Sequence, residues 1–279
     1  MEFSCCEIAP GVRHIGDGAG NFCTLLTGSR GAVLFDTMTG LGDLRGFLQA
    51  LSPMVPTVVN SHGHFDHVGG NLQFDAAYLH PADLPLLEAG RGQIPVLEQT
   101  LGRELSGMAR SFSPERYRAI QPGGVLDLGG LTAEVVDLSG HTPGSTGLLC
   151  RELGLLLAGD ALSPQMCLLF PESLSLEHYA RMLDRVEGLP FDRFLSGHFG
   201  FPFSKNVIQR FRRCIPLVGN QRGMDYAFGP LPYIKGQVYV SETRNPELGQ
   251  PVCLIVKPGT PSLRGGTHQK GGDPLWRTE

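Results

Sequence analysis

The chain predicts an α/β fold built as a four-layer sandwich, with two sheets packed face to face and helices outside. Two observations point there. Each half of the sequence reads as strands followed by helices, and the residues best suited to chemistry all sit just past strand-like runs. A third observation separates this pattern from a doubly wound parallel sheet: several strands are joined by hairpins too short for a helical crossover.

In the first half, residues 21–26 and 31–36 are β-rich and joined by T-G-S-R-G, a hairpin signature. Leu41, Leu44, Phe47, Leu48 and Leu51 follow at helical spacing, which predicts a helix over 41–51. The run P-T-V-V-N at 56–60 reads as a buried strand, and 76–79 as another before P-A-D-L-P-L-L-E, a helix with Pro81 at its first position. In the second half, 125–128 and 132–138 form a G-G hairpin, and 147–150 with 155–158 a second one around E-L-G. A helix over 175–188, a strand over 193–196 and a helix over 204–214 complete the pattern.

Residues 1–256 read as one domain. Within it, 81–120 form a helical insertion, either a lid over a site, a dimer contact or a plain cover for the core, and 204–256 form a C-terminal extension. The stretch 257–279 is rich in Gly, Pro and polar residues and predicts a flexible tail.

Composition bounds the function. The 279 residues include 38 glycines and 21 prolines, about a fifth of the chain and well above the usual share. Long apolar runs show that this excess means turns rather than disorder. A net charge of −4 argues against nucleic-acid binding by bulk charge, and no run is long enough to cross a membrane. Seven cysteines without a C-x-x-C, and an opening M-E-F-S-C-C-E-I with no apolar leader, give the expectation of a cytoplasmic protein with reduced thiols.

The strongest motif is S-H-G-H-F-D-H at 61–67, directly after the P-T-V-V-N strand. His62 and His64 can converge on one metal from a loop leaving a strand, while Asp66 and His67 face a neighbouring position at the start of a helix. Imidazole and carboxylate suit Zn²⁺, Fe²⁺ or Mn²⁺, and few protein ligands leave room for water. Three further residues fit the same centre: His141 in S-G-H-T-P-G, Asp160 ending L-L-L-A-G-D, and His198 in L-S-G-H-F-G. Glycines crowd these same loops, at 63, 69, 70, 140, 144, 147, 159, 197 and 200. His14, His80, His178 and His268 read as structural or exposed, and the Arg-rich run 209–214 as a solvated helix face rather than a phosphate site.

These residues resemble the metallo-β-lactamase superfamily over about residues 10–200. The resemblance implies the αββα sandwich and a dinuclear centre. Metal one would take His62, His64 and His141. Metal two would take Asp66, His67 and His198, with Asp160 between them and Asp36 bracing the metal loop by hydrogen bonds. The metals would be two divalent ions, zinc first, with iron or manganese as alternatives. The implied chemistry is hydrolysis by a metal-bridging hydroxide, with Asp66 also able to steer or accept the nucleophile's proton.

Asp160 stands where true β-lactamases carry other residue types, and Ser163 stands where many lactonases of the family carry tyrosine. Within the family the chain is thus similar to glyoxalase II and lactonase-type members. Basic residues that bind glutathione in such relatives would correspond by type to Lys205, Arg210, Arg212 and Arg213. The expected substrate is a small ester, thioester or lactone. The alternatives are a phosphodiesterase on the same centre, or an iron-dependent sulfur dioxygenase-like oxidoreductase. A homodimer is compatible with these features, and neither nucleic acid nor membrane is expected as a partner.

Overall fold

The computed structural model describes residues 2–102, 104–105, 110–242 and 251–263. The first half builds a seven-stranded sheet from β1 (Ser4–Ala9), β2 (Val12–Gly16), β3 (Phe22–Thr27), β4 (Ala32–Phe35), β5 (Thr57–Val59), β6 (Ala77–Leu79) and β7 (Tyr117–Ala119), ordered as in the chain. The first four are antiparallel neighbours, and β4 through β7 run parallel. Its helices are α1 (Leu44–Leu51), α2 (Phe65–Val68) and α3 (Leu84–Leu101).

The second half contributes β8 (Val125–Asp127), β9 (Thr132–Asp137), β10 (Thr146–Cys150), β11 (Leu155–Gly159), β12 (Gln165–Leu168), α4 (Leu176–Glu187), β13 (Arg193–Ser196), β14 (Phe203–Ser204), α5 (Ile208–Cys214), β15 (Met224–Ala227), β16 (Lys235–Glu242) and β17 (Val252–Val256). Six of these strands form the second sheet, in the order β14-β13-β11-β10-β9-β8.

Strand alternation generates the layers. In β3 and β4, Leu26, Val33 and Phe35 face the second sheet, whose Leu148, Leu155 and Leu157 meet them in one buried cluster. Their neighbours Leu25 and Leu34 turn outward and pack with Leu44 and Leu48 of α1. On the far side, Leu149, Leu156 and Ala158 pack against Tyr179, Met182 and Leu183 of α4 and Phe211 of α5. The result is the predicted αββα sandwich.

Several boundaries differ from the sequence reading for local reasons. α1 starts at Leu44 rather than 41, because the Asp43 carboxylate accepts the backbone N–H of Gly46 at 2.8 Å and fixes the N-terminus there. The helix expected from 204 is delayed to Ile208. Phe203–Ser204 pair with β13, and a 3₁₀ turn over Lys205–Val207 intervenes. The C-terminal extension builds a third sheet, ordered β12-β17-β16-β15, which packs beside α3 through Leu87, Leu169, Ile234 and Ile255. At the head of the expected tail, Lys257 Nζ donates to Ser173 O at 2.8 Å and Leu263 packs against the α4 side of the core. Residues 264–279 and His268 lie outside the described residues. Among the described residues, no helix is long and apolar enough to cross a membrane.

Leu157 is fully buried between the two sheets. Leu157→Ala is expected to cost about 2–5 kcal/mol, read as a lower urea midpoint with an unchanged slope.

Candidate metal centre

Strand direction decides where the site lies. β4 and β5 are parallel in one sheet, and β9, β11 and β13 share a direction in the other, so their C-terminal ends meet at one edge of the sandwich. The loops leaving those ends carry Asp36, residues 60–64, His141, Asp160 and His198. A backbone hydrogen bond from Thr146 N to Ser61 O, 2.8 Å long, ties the two sheets together at this edge.

All seven sequence-predicted residues converge. His62, His64 and His141 bring one nitrogen each within 4.8 Å of the others, as do the donor atoms of His62, His67 and Asp160, and of Asp66, His67 and His198. Asp160 links the groups. Its Oδ2 lies 3.0 Å from His198 Nε2 and 3.7 Å from His141 Nε2, and its Oδ1 lies 3.5 Å from His67 Nε2. Asp66 completes the second group, with Oδ2 3.6 Å from His198 Nε2.

Each imidazole is aimed by its other nitrogen. His141 Nδ1 donates to Cys167 O at 2.7 Å, and His198 Nδ1 to Gly20 O at 3.0 Å, which turns both Nε2 atoms to the centre. His67 Nδ1 donates to Asp36 at 2.9 Å. Asp36 also accepts the N–H and the hydroxyl of Ser61, at 2.7 and 2.8 Å. It does so from a left-handed backbone (φ 67°), a conformation aspartate tolerates better than most residues. His64 is reversed: Nδ1 faces His62 and His141, while Nε2 meets Glu172 Oε1 at 2.6 Å.

Two carboxylates that the sequence reading did not single out support these loops. Glu172 holds His64 across 108 positions of sequence, beyond the reach of any local motif. Asp83, fully buried, accepts Gly63 N at 3.0 Å, Gly144 N at 2.7 Å and Thr142 Oγ1 at 2.7 Å, and so clamps the His62 loop to the His141 loop. A side chain at position 144 would come within 2.7 Å of that carboxylate, which accounts for the glycine. Likewise Gly159, at φ 52°, lets Asp160 follow β11 directly, where a Cβ would meet Ser61 at 2.6 Å.

The electrostatics suit cations. Burial, reinforced by the neighbouring histidines, pushes His62 well below the usual imidazole range and brings His141 down to about 4, leaving lone pairs free. Burial opposes charge on His67 and His198 as well, but Asp160 and Asp66 outweigh it, holding His67 well above its ordinary value and His198 at about 9. Burial would raise Asp160, yet His198 and His67 keep it ionised. Two buried atoms nonetheless find no hydrogen-bond partner: His67 Nε2 and Asp160 Oδ1. A buried imidazole nitrogen and a carboxylate oxygen that face each other at 3.5 Å, too far apart for a good hydrogen bond, form a donor set that a divalent cation satisfies by displacing the proton. The residues present therefore fit divalent metal ions, with Asp160 within 4 Å of His67, His141 and His198.

A cavity of about 450 Å³ opens over this centre, walled by Asp66, Asp160, His198, Ser163, Phe170 and Phe228 among others. The apolar run after Asp160 divides its roles: Met166 and Leu168 are core, while Phe170 walls the cavity. None of Lys205, Arg210, Arg212 and Arg213 lines it. Lys205 donates to Leu189 O and lies 4.4 Å over the Phe191 ring, and Arg212 pairs with Asp184 and Glu187 of α4. Among the described residues, the other histidines make local contacts, and His178 Nε2 meets Ser139 Oγ at 2.8 Å. His14, buried, bonds Thr24 and Phe199 O, and His80 caps the turn before α3.

A family model described as the metallo-beta-lactamase superfamily matches residues 16–198, a span holding every residue of the centre. The chain belongs to this superfamily. It is 28% identical over 196 residues to an acyl-coenzyme A thioesterase MBLAC2 of Gallus gallus, covering 63% of this chain and 71% of that one. It is 32% identical over 143 residues to a hydroxyacylglutathione hydrolase of Synechococcus sp. (strain JA-3-3Ab), covering 51% of this chain and 48% of the relative. Among solved structures it is similar to TTHA1623 in a di-iron-bound form, with a TM-score of 0.50, 27% identity and coverage of 68% of this chain and 92% of that one. The chain is a hydrolase of this superfamily.

Glu172 touches His64 at the atom turned away from the centre. Replacing it with alanine is expected to weaken metal binding about 10–100-fold while leaving the fold intact, read by competition with a coloured chelator.

Proposed function

We propose that the protein is a dinuclear metal-dependent thioesterase, with His62, His64 and His141 holding one ion, Asp66, His67 and His198 the other, and Asp160 shared. The observation that carries the dinuclear reading is the position of Asp160: one carboxylate oxygen reaches His141 and His198, and the other faces the unpaired nitrogen of His67. The thioester is favoured over other acyl compounds because two separate relatives, named as an acyl-coenzyme A thioesterase and a hydroxyacylglutathione hydrolase, share this part of the chain.

Divalent ions held by these residues would supply Lewis acidity toward the scissile carbonyl and would acidify water. The protein's own contribution is geometric and protonic. In this reading an acyl carbon lies in the cavity between the His64 side and the Asp160 side of the centre, with Phe170 as an apolar wall that excludes bulk water. Asp66 is partly exposed to the cavity, so its carboxylate can accept a proton from the attacking water and return it to the departing sulfur. In the balanced reaction, water adds oxygen to the acyl carbon and the C–S bond breaks. The products are a carboxylic acid, which ionises, and a free thiol.

Protein purified without chelator is expected to carry about two divalent ions per chain by elemental analysis and to hydrolyse thioesters of coenzyme A or glutathione. His64→Ala and Asp66→Ala should each lower kcat by at least about 10²-fold, with unchanged far-UV circular dichroism because both residues sit outside the core. Either variant keeping more than about a tenth of wild-type turnover would overturn the assigned site. A single iron with oxygen-dependent turnover would favour the oxidoreductase reading, and turnover of bis-aryl phosphates alone the phosphodiesterase.

A further inference from the structure

A second cavity, of about 590 Å³, adjoins the first, and His64, Phe65, Gln93, Phe170 and Glu172 line both. It runs between α3 and the third sheet. Leu86, Ala89, Gly90 and Gln93 face it at helical spacing from α3, while Leu87, Ile94 and Leu97 on another face of the helix pack into the core. Leu169, Phe170 and Ile234 form the opposite wall, and the far end opens at Tyr233, whose side is 58% exposed, beside Lys235 and Lys257. The two cavities contrast in chemistry. The first mixes Asn21, Ser163, Gln165 and the carboxylates of the centre with apolar residues such as Phe228 and Leu231, whereas the second is apolar between its two ends.

We propose that this second cavity is the acyl-chain arm of the active site, accepting an unbranched medium- to long-chain acyl group while the polar thiol portion lies in the first cavity. The inference rests on the thioesterase reading for its chemistry, though not for its ligand. The shared residues put the junction of the two cavities beside His64 and Phe170, next to the place the acyl carbon takes in the proposed reaction. The polar side chains near the centre gather in the first arm, and the stretch of the second next to the junction offers mainly apolar wall, which favours the acyl chain there. An apolar passage of this size next to a polar centre loses contacts along its walls unless a chain fills it. The insertion over 81–120 then has a definite role: α3 is one wall of the substrate channel as well as a cover for the core.

The test uses the metal-loaded enzyme with acetyl, octanoyl and dodecanoyl thioesters of one thiol, and separately the binding of dansyl-undecanoic acid by fluorescence. kcat/KM is expected to rise up to about fourfold for each methylene enclosed, equivalent to about 0.8 kcal/mol, until the chain reaches the open end. Ala89→Trp, which fills the passage from α3 without touching the centre, should lower the dodecanoyl-to-acetyl ratio of kcat/KM at least about tenfold and weaken binding of the dansyl fatty acid by a similar factor. Leu86→Trp, one turn earlier, is the second variant should the first not fold, with metal content and circular dichroism as the check. Failure of wild type to bind the fatty acid, or equal binding by both proteins, overturns the proposal. So does a KM raised equally for acetyl and dodecanoyl substrates, which would place the thiol portion in this cavity. Fatty-acid binding that is lost in the variants, with no thioester hydrolysis by wild type, would uphold the channel and overturn the reaction instead.

Discussion

Two buried polar atoms, His67 Nε2 and Asp160 Oδ1, face each other across 3.5 Å without a hydrogen-bond partner. Burying such groups unpaired costs free energy that a fold does not normally accept. Here the arrangement is built deliberately. Asp36, Asp83 and Glu172 are each committed to aiming a ligand side chain or fixing the loop that carries one, and glycine at 144 and 159 lets those loops approach. The unmet need of these atoms is what the surrounding edge of the sandwich is organised around.

The same need explains why histidines of opposite protonation tendency stand side by side. His62 and His141 are driven toward the neutral form, while His67 and His198 lie against carboxylates that favour the charged form. Positive charge is therefore concentrated on the Asp160 side even without a metal, and cations placed there would take over the role of those protons. The third sheet adds the remaining constraint. By packing beside α3 it encloses the centre on one side and leaves an apolar passage leading away from it.

Much of this is legible in the sequence because the candidate ligands lie in short local motifs. S-H-G-H-F-D-H, G-H-T-P-G, A-G-D and S-G-H each follow a strand, so strand ends and ligands can be read together. What escaped was non-local. Glu172 and Asp83 become meaningful only when they meet His64 and Gly144, far away in the chain. The third sheet pairs β12 with β17 in parallel across more than 80 residues, and the apolar run V-C-L-I-V gives no hint of its partner. β1 was invisible for a different reason: S-C-C-E-I-A is largely exposed at a sheet edge and shows no alternation. The basic cluster near α5 misled by residue type alone, since Arg212 and Lys205 serve contacts with α4 and the segment after it.

On the proposed function, Asp160 lies between two cations. Anomalous diffraction from crystals of protein purified without chelator tests it most directly. Two anomalous peaks about 3.5–4 Å apart, one beside His62, His64 and His141 and the other beside Asp66, His67 and His198, with the Asp160 carboxylate contacting both, is the predicted result. A single peak, or peaks that leave Asp160 uncoordinated, would contradict it.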